Sequence, residues 1–232
     1  QIKGMEPLYD PRINRLSGPE FNQVVNPRGA HAPQGAITLY MSKDAPPEKF
    51  REWLLDRGVS EDALKRIFPR SAYFNIARML PYGEDWIAFM NSVGMGCLRG
   101  RVDNFMVGED WTECYSAVTG FETSLKELRT SAKRIYSLYK ALNVRVGFSR
   151  KDDAFPERWF EPLETSDRGT MVFCDYFGKP LSREACEELL DDYYDERGWD
   201  IETGIPEKRT LLELGLEDVA GDLENRGLLG KE

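Results

Sequence analysis

The feature that most constrains this chain is a long amphipathic segment at residues 124–142. Ser124 and Glu127 have the spacing of a capping box, in which two side chains satisfy the free N–H groups at a helix start. Apolar residues then recur every three or four positions, with basic residues mostly on the opposite face. The apolar set is Leu125, Leu128, Ala132, Ile135, Leu138 and Tyr139, and the basic set is Lys126, Arg129, Lys133 and Lys140. The segment therefore predicts a long amphipathic helix.

Similar signals predict further helices. These run from Pro46 to before Gly58, from Ser60 to before Pro69, in two stretches of 71–91 broken at Pro81, from Ser182 to Glu196, and over about 206–214. Residues 1–45 are rich in Pro, Gly and Asn and predict irregular loop with short extended pieces. Residues 143–169 also favour loop, and 171–173 favour a short strand. The expected fold class is mainly α: an irregular helical domain with an N-terminal loop-rich lead-in and few short strands.

The amino-acid composition argues against several classes of function. The 232 residues carry 31 basic and 40 acidic side chains, a net charge of −9, and 16 of the acids lie after residue 181. This acidity argues against nucleic-acid binding, which needs a basic face, and no apolar run approaches a membrane span. The four cysteines form no C-x-x-C pair, which argues against a self-contained metal site. They favour a reducing, cytoplasmic location.

The single histidine, His31, follows a glycine-bearing loop at 26–30. Histidine titrates near neutral pH, so His31 is a candidate general acid or base, or a group that polarises a substrate. A structural loop histidine bonded to a carbonyl is the alternative. The residues alone favour the structural role, because no partner residues of a catalytic triad are visible.

A second candidate is the glycine-bearing segment at 91–100. Its spacing is G-x-G-x-x-x-G, one residue longer than a dinucleotide fingerprint, and it follows a predicted helix rather than a strand, which excludes a Rossmann motif. The glycines would allow backbone to approach a ligand closely. The alternative, slightly favoured on these residues alone, is an interhelical turn that buries the thiol of Cys97.

Charged groups elsewhere favour ordinary structural roles. Asp10 is expected to pair with Arg12 or to accept amide protons at a turn. The segment 148–153 and the acids at 187–192 are expected to form solvated or ion-paired surface rather than a metal site.

The order of several short segments resembles the C-terminal region of the tungsten-containing aldehyde:ferredoxin oxidoreductase family. The segments are Lys3-Gly4-Met5-Glu6, Tyr9-Asp10-Pro11-Arg12, Arg28-Gly29-Ala30-His31, Asn91-Ser92-Val93-Gly94-Met95, Ser116-Ala117-Val118-Thr119-Gly120, Arg134-Ile135-Tyr136, Asn143-Val144-Arg145, Arg150-Lys151-Asp152-Asp153, Pro156-Glu157-Arg158, Tyr193 to Trp199 and Leu211 to Leu216. Each segment alone is weak evidence, and the resemblance rests on the fact that the segments occur in the same order as in the family.

The resemblance implies a fold that holds a tungsten bis-molybdopterin and a [4Fe-4S] cluster between an N-terminal β domain and two helical domains. It implies that 1–45 is a lead-in contributing to the cofactor pocket, that 46–232 is the C-terminal helical domain, and that the β domain and first helical domain are absent here. His31 matches the active-site histidine. Asn91 stands where the family usually has an aspartate that binds a pterin, and Gly94 and Met95 continue that turn. The cluster cysteine expected at Gly96 is shifted by one residue to Cys97.

The function implied by the resemblance is oxidation of an aldehyde to a carboxylic acid with ferredoxin as electron acceptor. The expected partners are the missing N-terminal region or subunit and a small-molecule substrate, and the isolated chain is expected to be inactive. Two alternatives stay open. One is the active-site subunit of a class II benzoyl-CoA reductase, which reduces an aromatic acyl-CoA, and the other is a cofactor-free helical assembly module.

Overall fold

A computed structural model describes residues 1–30, 45–94 and 108–229 of the chain. Within these ranges the protein is mainly helical with one small sheet, which confirms the expected fold class. The helices are α1 (Pro11–Asn14), α2 (Gly18–Val25), α3 (Pro47–Asp56), α4 (Glu61–Ile67), α5 (Ile76–Ser92), α6 (Gly108–Thr119), α7 (Leu125–Arg145), α8 (Arg183–Arg197), α9 (Lys208–Glu213) and α10 (Glu217–Asn225). Two 3₁₀ turns, Arg150–Asp152 and Glu157–Phe160, precede an antiparallel pair of strands, β1 (Leu163–Thr165) and β2 (Gly169–Met171).

Helix α5 is the centre of the fold, and it packs against both α7 and α8. The main apolar core gathers buried side chains of α2, α5 and α8, among them Phe21, Leu80 and Leu190. A second cluster joins α5 to α6 and α7 through Trp86, Phe89, Trp111 and Leu128. A third joins the end of α7 to α9 and α10. Because α5 contributes to two of the three clusters, its position is fixed from several sides.

The start of α7 confirms the predicted capping box. Ser124 Oγ accepts from the N–H of Glu127 at 3.3 Å, and Glu127 Oε2 accepts from the N–H of Ser124 at 2.8 Å. The predicted faces hold only for the first half of the helix. Leu138 and Tyr139 are exposed, whereas Lys140 is buried. Most of the buried side chains instead lie at every fourth position along the helix, and this row includes Lys140. Lys140 can be buried because it pairs with a buried carboxylate, which is described below.

Two local predictions were wrong. Residues 1–30 are not only loop, since α2 is a helix whose eight residues are all buried. α2 is only eight residues long and lies in a segment rich in Pro, Gly and Asn, so a helical period, which needs a longer window, does not stand out there. Pro81 also does not break the helix in two, since it lies inside the continuous helix α5. Pro81 removes one N–H donor, and the packing on both sides of α5 keeps the helix intact.

The last helices differ in smaller ways. Gly198 ends α8 in the left-handed conformation at φ +69°, as its position after the helical pattern predicts. The strand expected at 171–173 lies instead at Gly169–Met171. The helix expected at 206–214 is shorter, and α10 follows it without having been predicted.

Candidate functional site

The candidate site lies at the C-terminal end of α5, where the helix turns at Asn91 to Gly94. The opposite end of the helix is capped by Asn75, whose side chain accepts from the N–H groups of Ala77 and Arg78 at 3.0 and 3.2 Å. At the candidate site, the N–H of Gly94 donates to the carbonyl of Asn91 at 3.2 Å, and Gly94 has φ +83°. This left-handed conformation strains residues that carry a Cβ, so glycine suits the position.

The turn is open. Asn91 is half-buried, and Ser92, Val93 and Gly94 are exposed. Among the described residues, a Cβ built on Gly94 would meet no atom within 4 Å, so this part of the chain leaves room for a ligand against the backbone. The side-chain amide of Asn91 can both donate and accept a hydrogen bond. The arrangement therefore suits hydrogen bonding to a polar heteroaromatic ligand.

An apolar cavity of about 320 Å³ adjoins this turn. It is lined by Phe89, Ser92 and Val93 of the α5 end and by Trp111, Cys114, Tyr115, Val118 and Thr119 of α6. Its walls are largely aromatic or aliphatic, and Cys114 is a free, exposed thiol. The open turn thus borders an apolar surface rather than a charged one.

A buried ionic cluster fixes α5 about two turns before Asn91. Arg197, at the end of α8, is bound to both Glu84 and Asp85 of α5. Tyr193 donates to Glu84 Oε2 at 2.7 Å, and Asn22 donates to Glu84 Oε1 at 2.6 Å. Burial raises the pKa of Tyr193 well above its usual value, so this hydroxyl stays a hydrogen-bond donor. The cluster ties α2, α5 and α8 together.

Asp153 is the centre of a second buried cluster. Its carboxylate pairs with Lys3 at 2.5 Å and with Lys140 of α7 at 3.1 Å, and Tyr194 donates to it at 2.5 Å. The segment 148–153 was expected to be surface, and for Asp153 this was wrong, since it is fully buried. Burial lowers the pKa of Lys3, although the charge of Asp153 opposes that shift. The cluster attaches the N-terminal segment to α7 and α8.

The expected pairing of Asp10 with Arg12 is confirmed. Asp10 Oδ2 accepts from Arg12 at 2.6 Å, and Asp10 Oδ1 accepts from the N–H of Arg12 at 3.0 Å. Burial works to raise the pKa of Asp10, but the hydrogen bonds from Arg12 outweigh it, and the pKa is lowered. Arg12 also donates to the carbonyls of Arg158 and Glu161. Asp10 and Arg12 therefore have a structural role, because they hold residues 1–30 against the segment that contains Arg158 and Glu161.

The predicted site residues divide into two groups. Asn91 and Gly94 share the open turn at the end of α5. His31, Met95 and Cys97 lie outside the described residues. The motifs did not mark Glu84, Asp85 or Arg197 as site residues. The available signals were a pair of acids inside the otherwise uncharged stretch 79–90 and the place of Arg197 in the quoted segment Tyr193 to Trp199.

The side chains near the turn can be compared with the two cofactors of the resembled family. The amide of Asn91 and the open backbone at Gly94 fit contact with a pterin. In the ranges 1–30, 45–94 and 108–229, no group of three or more His, Cys, Asp or Glu side chains could hold a metal ion. The free cysteines in these ranges are Cys114, exposed on α6, Cys174 after β2, and Cys186, buried on α8. These cysteines do not fit an iron–sulfur cluster.

A family model described as aldehyde ferredoxin oxidoreductase, domains 2 and 3, matches residues 1–216. The chain belongs to the aldehyde ferredoxin oxidoreductase family. The match covers the turn at Asn91 as well as both buried ionic clusters. The resemblance drawn from short collinear segments is thereby confirmed.

Two relatives that match this chain are named as tungsten-containing enzymes. The tungsten-containing aldehyde ferredoxin oxidoreductase of Pyrococcus furiosus is 27% identical over 223 residues, which covers 94% of this chain and 31% of that protein. Its counterpart from Pyrococcus horikoshii is 28% identical over 145 residues, covering 61% of this chain and 21% of that protein. The chain thus spans between a fifth and a third of the length of these relatives.

A solved structure shares the fold. The active site complex BamBC of benzoyl coenzyme A reductase, in complex with 1,5-dienoyl-CoA, matches with a TM-score of 0.53 and 23% identity. The match covers 82% of this chain and 29% of that one. None of the helices in the described part of the chain is long and apolar enough to cross a membrane.

Proposed function

We propose that this chain forms one wall of the cofactor pocket in a tungsten-pterin oxidoreductase that oxidises aldehydes to carboxylic acids. The observation that carries the proposal is the open turn at Asn91 and Gly94, which falls inside the family match over residues 1–216. The relatives that match over most of this chain are named as tungsten-containing aldehyde ferredoxin oxidoreductases. The remaining walls would come from the region that corresponds to the rest of those relatives, in the same polypeptide or in a partner subunit.

The chemistry balances with the parts proposed. An aldehyde and one water yield a carboxylic acid, two protons and two electrons, and ferredoxin is the proposed acceptor of the electrons. A bound tungsten bis-molybdopterin supplies the two-electron redox chemistry. Asn91 would hold the pterin by hydrogen bonds without adding charge, where the family usually has an aspartate. His31 would polarise the substrate oxygen or carry a proton at it.

The iron–sulfur cluster stands apart in this proposal. Cys97 is the proposed cluster ligand in this chain, and it lies outside the described residues. The described cysteines do not group into a metal site. The cluster would therefore take its other ligands from the rest of the enzyme, and the isolated chain is expected to be inactive.

A second candidate function is reduction of an aromatic acyl-CoA. Two observations favour keeping it. The fold resembles that of BamBC, and Asn91 departs from the acidic residue usual in aldehyde-oxidising relatives. The apolar cavity of about 320 Å³ beside the turn is compatible with an aromatic ring or with an alkyl aldehyde.

The test uses the purified protein together with any subunit that copurifies. Tungsten and iron are measured by elemental analysis, and turnover is measured with aldehydes and a viologen acceptor, then with aromatic acyl-CoA and a low-potential donor. Tungsten with aldehyde-dependent viologen reduction supports the proposal. Tungsten with acyl-CoA reduction alone replaces it by the second candidate. A protein with neither tungsten nor turnover would be a cofactor-free helical module.

Matched variants test the turn itself. Asn91→Ala is expected to lower the pterin and tungsten content, because it removes the amide proposed to bind the pterin. Ser92→Ala is the control at the same helix end, since Ser92 Oγ donates to the local carbonyl of Ala88 at 2.8 Å. Equal cofactor content in both variants would contradict the role of Asn91.

A further inference from the structure

A cleft beside α5 and α8 contains three basic side chains of α7. Lys126, Arg129 and Lys133 are three and four residues apart, so they lie on one face of that helix. All three line a cavity of about 340 Å³, here named the α7 cleft. The rest of its lining is Gly58, Val59 and Ser60 before α4, Pro81, Tyr82 and Asp85 of α5, Thr130 of α7, Glu196 and Arg197 of α8, and Glu213 and Leu214.

None of the three basic groups forms an ion pair in the described residues. Neither lysine makes an ion pair or a side-chain hydrogen bond there, and Lys126 is exposed. Arg129 donates from Nη1 to the carbonyl of Arg57 at 3.1 Å and lies 5.1 Å from the centre of the Tyr82 ring. Its remaining guanidinium N–H groups bond to nothing in the described ranges. Burial lowers the pKa of Arg129, although the charge of Asp85 works the other way.

The acids of the α7 cleft are already engaged by other arginines. Asp85 is bound to Arg197 at 2.5 Å. Glu196 accepts from Arg66 at 2.6 Å, and it also binds Arg78 and Tyr82. Glu213, at the rim, lies 4.0 Å from Arg209. These acids are therefore paired with arginines other than Arg129, and Lys126, Arg129 and Lys133 form no ion pair with them in the described residues.

We propose that the α7 cleft binds a phosphate-bearing small molecule through Lys126, Arg129 and Lys133. The rigid fork of an arginine matches two oxygens of a phosphate, and flanking lysines add point charges. A volume of about 340 Å³ lies within the range of small-molecule sites, and a concave cleft of that size suits a small ligand better than a protein surface. The proposal does not depend on the redox function, because the cleft shares no residue with the turn at Asn91.

Titration calorimetry of the purified protein at low salt tests the proposal, with any copurifying subunit retained. The probes are inorganic phosphate, pyrophosphate, adenosine diphosphate and coenzyme A. We expect saturable binding of at least pyrophosphate or the nucleotides, weakened by added salt. Binding of all phosphate species with equal strength would assign the site to the phosphate group alone. Tighter binding of the nucleotides would assign it to a nucleotide, and both outcomes support the proposal.

Variants locate the site. Lys126→Ala with Lys133→Ala is expected to weaken binding at least tenfold, because two charged hydrogen bonds are lost. The matched control is Lys151→Ala with Lys179→Ala, which removes the same charge from two exposed lysines outside the cleft. Circular dichroism verifies that each variant is folded, and Arg129→Lys tests the guanidinium while keeping the charge. Absence of binding by every probe at millimolar concentration, or equal weakening by both double variants, would overturn the proposal.

Discussion

Arg197 binds two consecutive carboxylates of α5, Glu84 and Asp85, through separate nitrogens of one guanidinium. Nη1 donates to Asp85 at 2.5 Å, Nη2 donates to Glu84, and the carbonyl of Pro81 accepts from Nη2 at 3.3 Å. The side chain is 1% exposed. Because one planar guanidinium binds three groups of α5, it fixes the rotation and the axial position of that helix. The turn at Asn91 lies about two helical turns further along the same helix, so its position is fixed as well.

Replacing Arg197 is expected to destabilise the protein strongly. Arg197→Met would leave two buried carboxylates without their positive partner, which costs about 3–5 kcal/mol. The measurement is the free energy of unfolding in urea. Arg183→Met on the same helix is the control, because its pair with Glu157 is exposed, and such a pair contributes about 0–1 kcal/mol. Similar losses in both variants would mean that the buried cluster has no special role.

Removing the charge of Asp153 is also expected to be costly. Asp153→Asn leaves Lys3 and Lys140 with their ammonium groups buried and unbalanced, a loss of about 3–5 kcal/mol in unfolding free energy. Asp167→Asn serves as the control, since the Asp167 side chain is 71% exposed and pairs with its neighbour Arg168. An Asp153→Asn protein as stable as the control variant would show that the lysines adapt without cost.

Glu196 is expected to link stability to acid pH. Burial acts to raise its pKa, but hydrogen bonds from Arg66, Tyr82 and Arg78 outweigh burial, and the pKa is lowered below the usual 4.5. A carboxyl whose pKa is lower in the folded state stabilises the protein above about pH 4.5. That contribution is lost as the pH falls through the folded-state pKa. Each tenfold difference in acid strength between the folded and unfolded states corresponds to about 1.4 kcal/mol.

The corresponding variant is Glu196→Gln. Its unfolding free energy should fall less steeply than that of the unmodified protein as the pH drops below about 4.5, because it lacks the titrating group. The same urea titrations on Glu188→Gln provide a reference, since Glu188 is exposed on the same helix. An acid dependence that is identical in all three proteins would rule out Glu196 as the group responsible.

His31→Ala is expected to lower kcat of the assembled enzyme by roughly 10²–10⁴-fold, the usual contribution of a positioned proton-transfer group. Turnover is compared at equal tungsten content, so that loss of cofactor is not mistaken for loss of chemistry. The effect on stability should be small, because His31 follows a glycine-bearing loop. Full tungsten loading with unchanged turnover would make His31 a structural residue.

Local signals in the sequence predicted α7 and the end of α8 well, because capping at Ser124 and the left-handed Gly198 are decided by neighbouring residues. The local signals missed α2, because a helix of eight residues in a segment rich in Pro, Gly and Asn is too short to show a clear period. They also failed at Pro81, where tertiary packing outweighs a local breaker. Neither ionic cluster was predictable, since Arg197 finds its carboxylates 112 and 113 positions away. No short-range pattern encodes such a pairing.

For the candidate site, the collinear motifs predicted that Asn91 and Gly94 contact a pterin, and this stays a prediction. In the structure, both residues lie in the turn that ends α5. The openness of that turn could not be predicted, because it depends on which side chains surround it. The α7 cleft shows the same limit. Lys126 and Lys133 look like ordinary solvated charges in the sequence, and only the structure shows that the nearby acids pair with Arg197, Arg66 and Arg78 instead.

The long-range hydrogen bonds of residues 1–30 affect the order in which the chain can fold. Arg12 donates to carbonyls 146 and 149 positions downstream, and Asn143 donates to Pro27, 116 positions upstream. Contacts this distant in sequence form late and slowly. During synthesis, which proceeds from the N-terminus, α2 would leave the ribosome long before Arg158, Tyr193 and Arg197 exist. The surface of α2 that packs on α8 then stays uncovered until α8 is made, so the nascent N-terminal segment exposes apolar side chains such as Phe21 during much of synthesis.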